Sequence, residues 1–105
     1  MITAIVRFPV PAGTSLETMT ELFRASAPNY EGLNGLVRKY YLYDEAGTGG
    51  GVYLWESRDA AERVYTAEWR QMIAERYGAE PEVSYYDTPV IVDNDSNRVI
   101  VDAAE

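Results

Sequence analysis

The side chains of this sequence that can do chemistry are tyrosines, tryptophans and arginine, because the residues that usually do it are missing. There is no histidine and no cysteine among the 105 residues. Histidine general bases, thiolate nucleophiles, disulfides, zinc sites of the usual kind and histidine-held haem are thereby excluded. Nine tyrosines and two tryptophans remain, with Arg38 on a strand that is apolar on both sides. Such a set can build an apolar pocket for a flat molecule, with rings that stack, hydroxyls that donate and a guanidinium that stabilises a phenolate or a developing oxyanion. Trp55 and Trp69 are the candidate stacking walls, and Tyr53 and Tyr65 the candidate hydroxyl donors. Arg38 and Trp69 are the candidate catalytic residues, and Tyr53, Trp55 and Tyr65 the candidate substrate-binding ones. Large aromatics at strand and helix spacing equally suit a packed core or a subunit interface. Arg38 equally suits solvent at an edge strand, or a carboxylate partner. Tyr85 and Tyr86 point to opposite faces, so at most one lines a subunit's own pocket. Asp87 beside them is a base if buried and a strand-end residue if exposed.

These residues need elements to position them. Ile2 to Phe8 alternates as a strand and stops at Pro9 and Pro11. Thr14 or Ser15 can cap a helix with Leu16, Met19, Phe23 and Ala27 at helical spacing, ended by Pro28. Leu36 to Tyr43 is a second strand, interrupted once on each face by Arg38 and Lys39. Gly47 to Gly51 reads as a hairpin connection whose glycines supply positive φ. A phosphate loop does not fit there, since no Lys-Ser/Thr follows and a strand comes next. The third strand carries Val52 and Leu54 on one side and Tyr53 and Trp55 on the other. Ser57 or Asp59 then caps a helical stretch to about Tyr77, bent near Thr66, with Gly78 as its stop signal. Glu82 to Thr88 is a fourth strand, Pro89 to Val92 continues extended, and Val99 to Asp102 can pair back as a short hairpin.

The order strand, helix, strand, strand, helix, strand is the split βαβ of a ferredoxin-like α+β fold with an antiparallel sheet, in one domain over 1–105 ending in a short strand or tail from about 95. Two helices cover one face of four strands. The other face carries aromatic and branched residues, and a two-fold homodimer packing sheet against sheet covers both copies at once. With 17 acidic against 9 basic residues the net charge is −8, which repels a phosphate backbone and excludes nucleic acid as a partner. No apolar run approaches the ~20 residues of a membrane span, and the N-terminus lacks a signal peptide's basic start, so no membrane is expected and the expected compartment is the cytoplasm. Asp93, Asp95, Asp102 and Glu105 read as a solvated tail.

The run GGGVYLWESRDAAERVYTAEW, followed by VSYYDTPV, resembles the YdhR-type monooxygenases, a branch of the dimeric α+β barrel families that also include antibiotic-biosynthesis monooxygenases. The likeness is best over Gly35 to Asn94, and its most specific part is the glycine hairpin, aromatic strand and alanine-rich helix start in that order. It implies a homodimer of ferredoxin-like subunits, each with a pocket between sheet and helices. It also implies oxidation of an aromatic or quinone-like small molecule by molecular oxygen, with no metal, haem or flavin as cofactor. Haem-degrading and quinol-oxidising relatives commonly place a histidine in the pocket region, which this chain lacks. Two readings of different classes follow: a cofactor-independent monooxygenase, or a non-enzymatic dimeric module that binds a small apolar ligand. Fold alone does not choose between them.

Overall fold

Strict alternation in the first strand sets the sheet. In β1 (Ile2–Pro9) the side chains of Ile2, Ala4, Val6 and Phe8 are buried while Thr3, Ile5 and Arg7 face the other way. The computed structural model, which describes residues 1–102, continues with α1 (Leu16–Ser26), a 3-10 turn (Ala27–Asn29), β2 (Leu36–Asp44), β3 (Thr48–Trp55), α2 (Arg58–Val64), α3 (Ala67–Tyr77), β4 (Glu82–Asp87), β5 (Val90–Asp93) and β6 (Arg98–Val101). The sheet order is β2-β3-β1-β4 with every pair antiparallel, the ferredoxin-like arrangement that the element order implies.

Local signals place the helix ends. Ser15 caps α1, its Oγ accepting from the Thr18 N–H at 3.1 Å, and Met19 is the residue α1 buries most deeply. Ser57 caps α2 in the same way through the Ala60 N–H. The bend expected near Thr66 is a full break. Tyr65 leaves the helical region and Thr66 restarts the chain as the cap of α3, its Oγ1 accepting from the Trp69 N–H at 3.1 Å. Gly78 ends α3 in the left-handed conformation at φ 95°, where any side chain would be strained.

Pairing between strands decides which side chains share a face. Lys39 lies opposite Tyr53, Tyr41 opposite Gly51, and Tyr53 opposite Ala4, so these side chains look toward the helices. Arg38, Tyr40 and Leu42 pair with Leu54, Val52 and Gly50 on the opposite, helix-free face. A bulge between Leu36 and Arg38 turns Val37 outward. The glycine stretch differs from its sequence reading. Only Gly47 has a positive φ, at 112°, while Gly49, Gly50 and Gly51 are strand residues. Their lack of side chains has a packing cause: a Cβ on Gly49 would meet the Phe8 ring at 2.9 Å, and one on Gly51 would lie 3.1 Å from Cε1 of Tyr53 and 3.4 Å from Cε of Lys39.

After β4 the chain crosses the end of the helix-free face. Thr88 and Thr3 join their hydroxyls, and Asp93 reaches the Arg38 guanidinium at 4.0 Å on the far edge strand. The β5–β6 hairpin buries its Asp93 and Ile91 side partly and exposes Val90, Val92, Val99 and Val101 on the other. The acidic residues of this region are thus not all a solvated tail. Asp93 is held below the usual carboxylate range by hydrogen bonds from Ser96 and by Arg38, and Asp102 pairs with the Met1 amine; Glu105 lies outside the described residues. The radius of gyration, 14.6 Å, exceeds the ~13 Å expected of a compact chain of this length. Among the described residues, no helix is long and apolar enough to cross a membrane.

Candidate functional site

Between sheet and helices the aromatic side chains form one network. Tyr53 and Trp55 stack in parallel on β3 with centroids 5.9 Å apart, and the Tyr65 ring stands edge-on to both. Tyr65 leads on to Trp69, 4.7 Å away, which the Thr66 restart of α3 brings alongside. Hydroxyls and indoles satisfy one another. Trp55 Nε1 donates to Tyr65 Oη and Trp69 Nε1 donates to Tyr30 Oη, both at 3.1 Å. Tyr41 exchanges a hydrogen bond of 2.7 Å with Ser26. Burial pushes the Tyr53 and Tyr65 hydroxyls well above the usual phenol range, so both stay protonated and do not act as bases.

At one end of this network lies a cavity of about 30 Å³, walled by Phe23, Tyr30, Tyr41, Tyr53 and Trp69 with Phe8, Ile73 and Tyr77 closing it. Lys39, the only lysine of the sequence, reaches into it from β2. Its Nζ sits 3.4 Å from the Tyr30 ring centroid, 3.8 Å from that of Tyr41 and 4.6 Å from that of Tyr53. Among the described residues it has no carboxylate partner. Burial pushes the amine down to about 7, while the three ring faces attract its charged form. On the outer side a groove of about 280 Å³ runs between the loop after α1 and the edge strand β2, and Tyr30, Lys39 and Tyr41 line both recesses.

The structure brings only part of the expected set to this place. Tyr53 and Trp69 line the cavity. Trp55 and Tyr65 stand behind it in the core, at 0% and 7% exposure, and orient the rings that do line it. Arg38 is not in the cavity. It alternates with Lys39, faces away from the helices, bonds Tyr40 Oη at 3.2 Å and lines the outer groove instead. Tyr85 turns toward the core and Tyr86 away from it, and Asp87 is exposed at a strand end. The sequence reading passed over Lys39, Tyr30 and Tyr41. Its available signal was a lone lysine inside an aromatic strand.

No family model matches this chain, and no curated protein does. Solved structures do. A protein of unknown function from Nitrosomonas europaea superposes with a TM-score of 0.65 at 12% identity, over 83% of this chain and 87% of its own. A variant of SnoaB, a cofactor-independent oxygenase from Streptomyces nogalater, gives 0.59 at 16% identity, over 83% and 91%. A protein provisionally assigned as an antibiotic biosynthesis monooxygenase from Deinococcus radiodurans gives 0.60 at 12%, over 89% and 97%. At such identities the likeness is one of fold.

Proposed function

We propose that this protein is a cofactor-independent monooxygenase that oxidises an aromatic, quinone-forming small molecule held between its sheet and its helices. The observation that carries the reading is the aromatic-walled cavity with a lysine amine at its rim, in a fold shared with a cofactor-independent oxygenase. The chemistry balances without a protein-borne redox group. Both C–H bonds of an activated methylene break, one atom of dioxygen becomes the oxygen of the resulting ketone, and the other leaves as water with the two hydrogens. All the electrons come from the substrate. The protein's part is to hold the flat molecule, keep out bulk water and favour its electron-rich anion. Trp69 and Tyr53 provide the walls, and Trp55 and Tyr65 hold those walls in place. A YdhR-type assignment, a cytoplasmic setting and independence from metal, haem and flavin belong to the same proposal.

The proposal also takes the working form to be a homodimer joined through the helix-free face. Tyr40, Leu42 and Tyr86 on that face are 55%, 42% and 53% exposed, and the four hairpin valines are more exposed than buried. A second copy is the partner that brings the same apolar face. One observation favours the second reading, a ligand-binding module without turnover. The hydroxyls of Tyr30, Tyr41 and Tyr65 are already engaged with Trp69, Ser26 and Trp55, which leaves few groups to move a proton. Oxygen uptake with anthrone, measured with and without a chelator, separates the two. The expected result is chelator-insensitive turnover that falls roughly tenfold or more in Trp69→Ala as the wall is lost. Saturable anthrone binding with no uptake establishes the module instead.

A further inference from the structure

The charges around the cavity run against the rest of the molecule. The chain carries 17 acidic and 9 basic residues, yet among the described residues the cavity is lined by two cations, Lys39 and Arg76, and by no carboxylate. In the groove outside, Glu31 is the one acid of the lining, and the Arg38 guanidinium is turned to the other face, where it pairs with Asp93. A half-buried amine without a counter-ion is costly, and three ring faces only partly replace one. That place is where an anion gains most. An incoming cation is disfavoured there, because the protein's own ammonium already occupies the ring faces that would attract it.

Size leads to the same side chain. A cavity of about 30 Å³ holds no more than a water-sized group. It is separated from the groove of about 280 Å³ by Lys39 with Tyr30 and Tyr41. Withdrawing one flexible side chain, Lys39, joins the two into a space at the lower end of small-molecule sites. The Gly51 backbone opposite Tyr41 leaves the lysine stem room to swing.

We propose that Lys39 is the ligand-pairing residue of this site, and that the ligand is a planar aromatic oxyanion, a phenolate or an aromatic carboxylate, whose charged oxygen draws the ammonium off the tyrosine faces and opens the cavity to the rings. This rests on the reading above only in placing the ligand in this cavity; it does not require that the ligand be oxidised. The anion also raises the affinity of Lys39 for its proton. The groups facing that amine are Tyr30 from the loop, Tyr41 from β2 and Tyr53 from β3, with Arg76 and Tyr77 across the cavity on α3 and with Glu31 and Arg38 along the groove.

A lone lysine makes the test direct, because 15N-lysine labelling gives one side-chain signal. Calorimetry of the full chain with 2-naphthoate, 2-naphthol and the neutral 2-naphthamide is expected to show one of the two acids binding roughly 10- to 100-fold tighter than the amide. Preference for naphthoate assigns the oxyanion to a carboxylate, and naphthol affinity that climbs with pH assigns it to a phenolate. Bound acid moves the Lys39 signal and raises its titration midpoint. Lys39→Met keeps amide binding and loses the preference, while Lys39→Arg retains it. The proposal is overturned if the amide binds as tightly as both acids, if Lys39→Met keeps the preference, or if none of the three binds. Absence of oxygen uptake from anthrone overturns the oxygenase reading alone, since naphthoate binding is read without turnover.

Discussion

Tyr40 and Tyr41 are neighbours on β2 and end in opposite environments, and Tyr85 and Tyr86 on β4 repeat the pattern. Tyr41 turns toward the helices, where it bonds Ser26 and packs against Phe23 at 4.8 Å. Tyr40 turns away, is 55% exposed and touches the exposed Arg38. The two faces of one sheet therefore carry similar residue types in different states. The helix-covered face is a closed network in which indole N–H groups and phenol hydroxyls pair with one another. On the other face Tyr40, Leu42 and Tyr86 stand exposed, with only a thin hairpin crossing one end. The contrast teaches that the chemistry of an aromatic residue in this chain is set by its parity along the strand, not by its type. One face is closed by the chain's own helices, and the other leaves Tyr40, Leu42 and Tyr86 exposed.

The comparison is broken most severely from the closed side. Trp55 is fully buried and donates to Tyr65, so Trp55→Ala removes a large packed volume and orphans a hydroxyl partner. Chemical denaturation is expected to show a loss of about 3–5 kcal/mol; a loss under about 1 kcal/mol would mean that the ring network is not the core. The next largest effect lies on the open side. Tyr40→Arg places a second guanidinium beside Arg38 on the exposed face, which leaves the subunit fold intact and opposes face-to-face pairing. Light scattering is expected to give a dimer for the parent chain and mass near 11.8 kDa for the variant, with the dimer dissociation constant raised roughly 30-fold or more. A parent chain that scatters as a monomer removes the dimer and the assigned role of this face together.

Much of the fold was legible because its signals are local. Ser15 and Ser57 are caps, each one of the two candidates that the sequence offers there, Thr66 breaks the helix where the sequence implies a bend, and Gly78 takes the left-handed stop. The glycine run misled because glycine serves two purposes. Gly47 alone provides the turn, while Gly49 and Gly51 are small for the sake of Phe8, Tyr53 and Lys39, neighbours visible only once the strands are paired. The site was half legible for a related reason. Aromatic content announced a pocket or a core without saying which, and alternation alone could not tell whether Arg38 or Lys39 faced inward. Helix packing decides that, since α1 and the turn after it lie over the Lys39 side and place Tyr30 there. Asp93 was misjudged because its partner, Arg38, lies on the far edge of the sheet.

The smallest effect sharpens the comparison at Lys39, the one cation of β2 on the closed face. In the unfolded chain its amine keeps a proton up to about 10.5, and in the folded chain burial lowers that to about 7. Between those values the unfolded state binds more protons, so this residue makes stability rise with pH across the window, while below about 7 both states are protonated and the cost of burying the charge is fully present. Tyr41, Tyr53 and Tyr65 act in the opposite direction, because their folded hydroxyls hold protons that the unfolded chain loses near pH 10, and a measurement kept between pH 6 and about 9 avoids them. A full proton of difference corresponds to about 1.4 kcal/mol per pH unit, and the partial exposure of Lys39 reduces it to roughly 1 kcal/mol or less. Urea denaturation across this range is therefore expected to show a positive slope for the parent chain, relative to Lys39→Met, that begins near pH 7. Arg38→Met, on the other face of the same strand, leaves that slope in place. Parallel curves for the parent and Lys39→Met would show that the amine is solvated as freely as Arg38, and the distinction between the two faces at this strand would be lost.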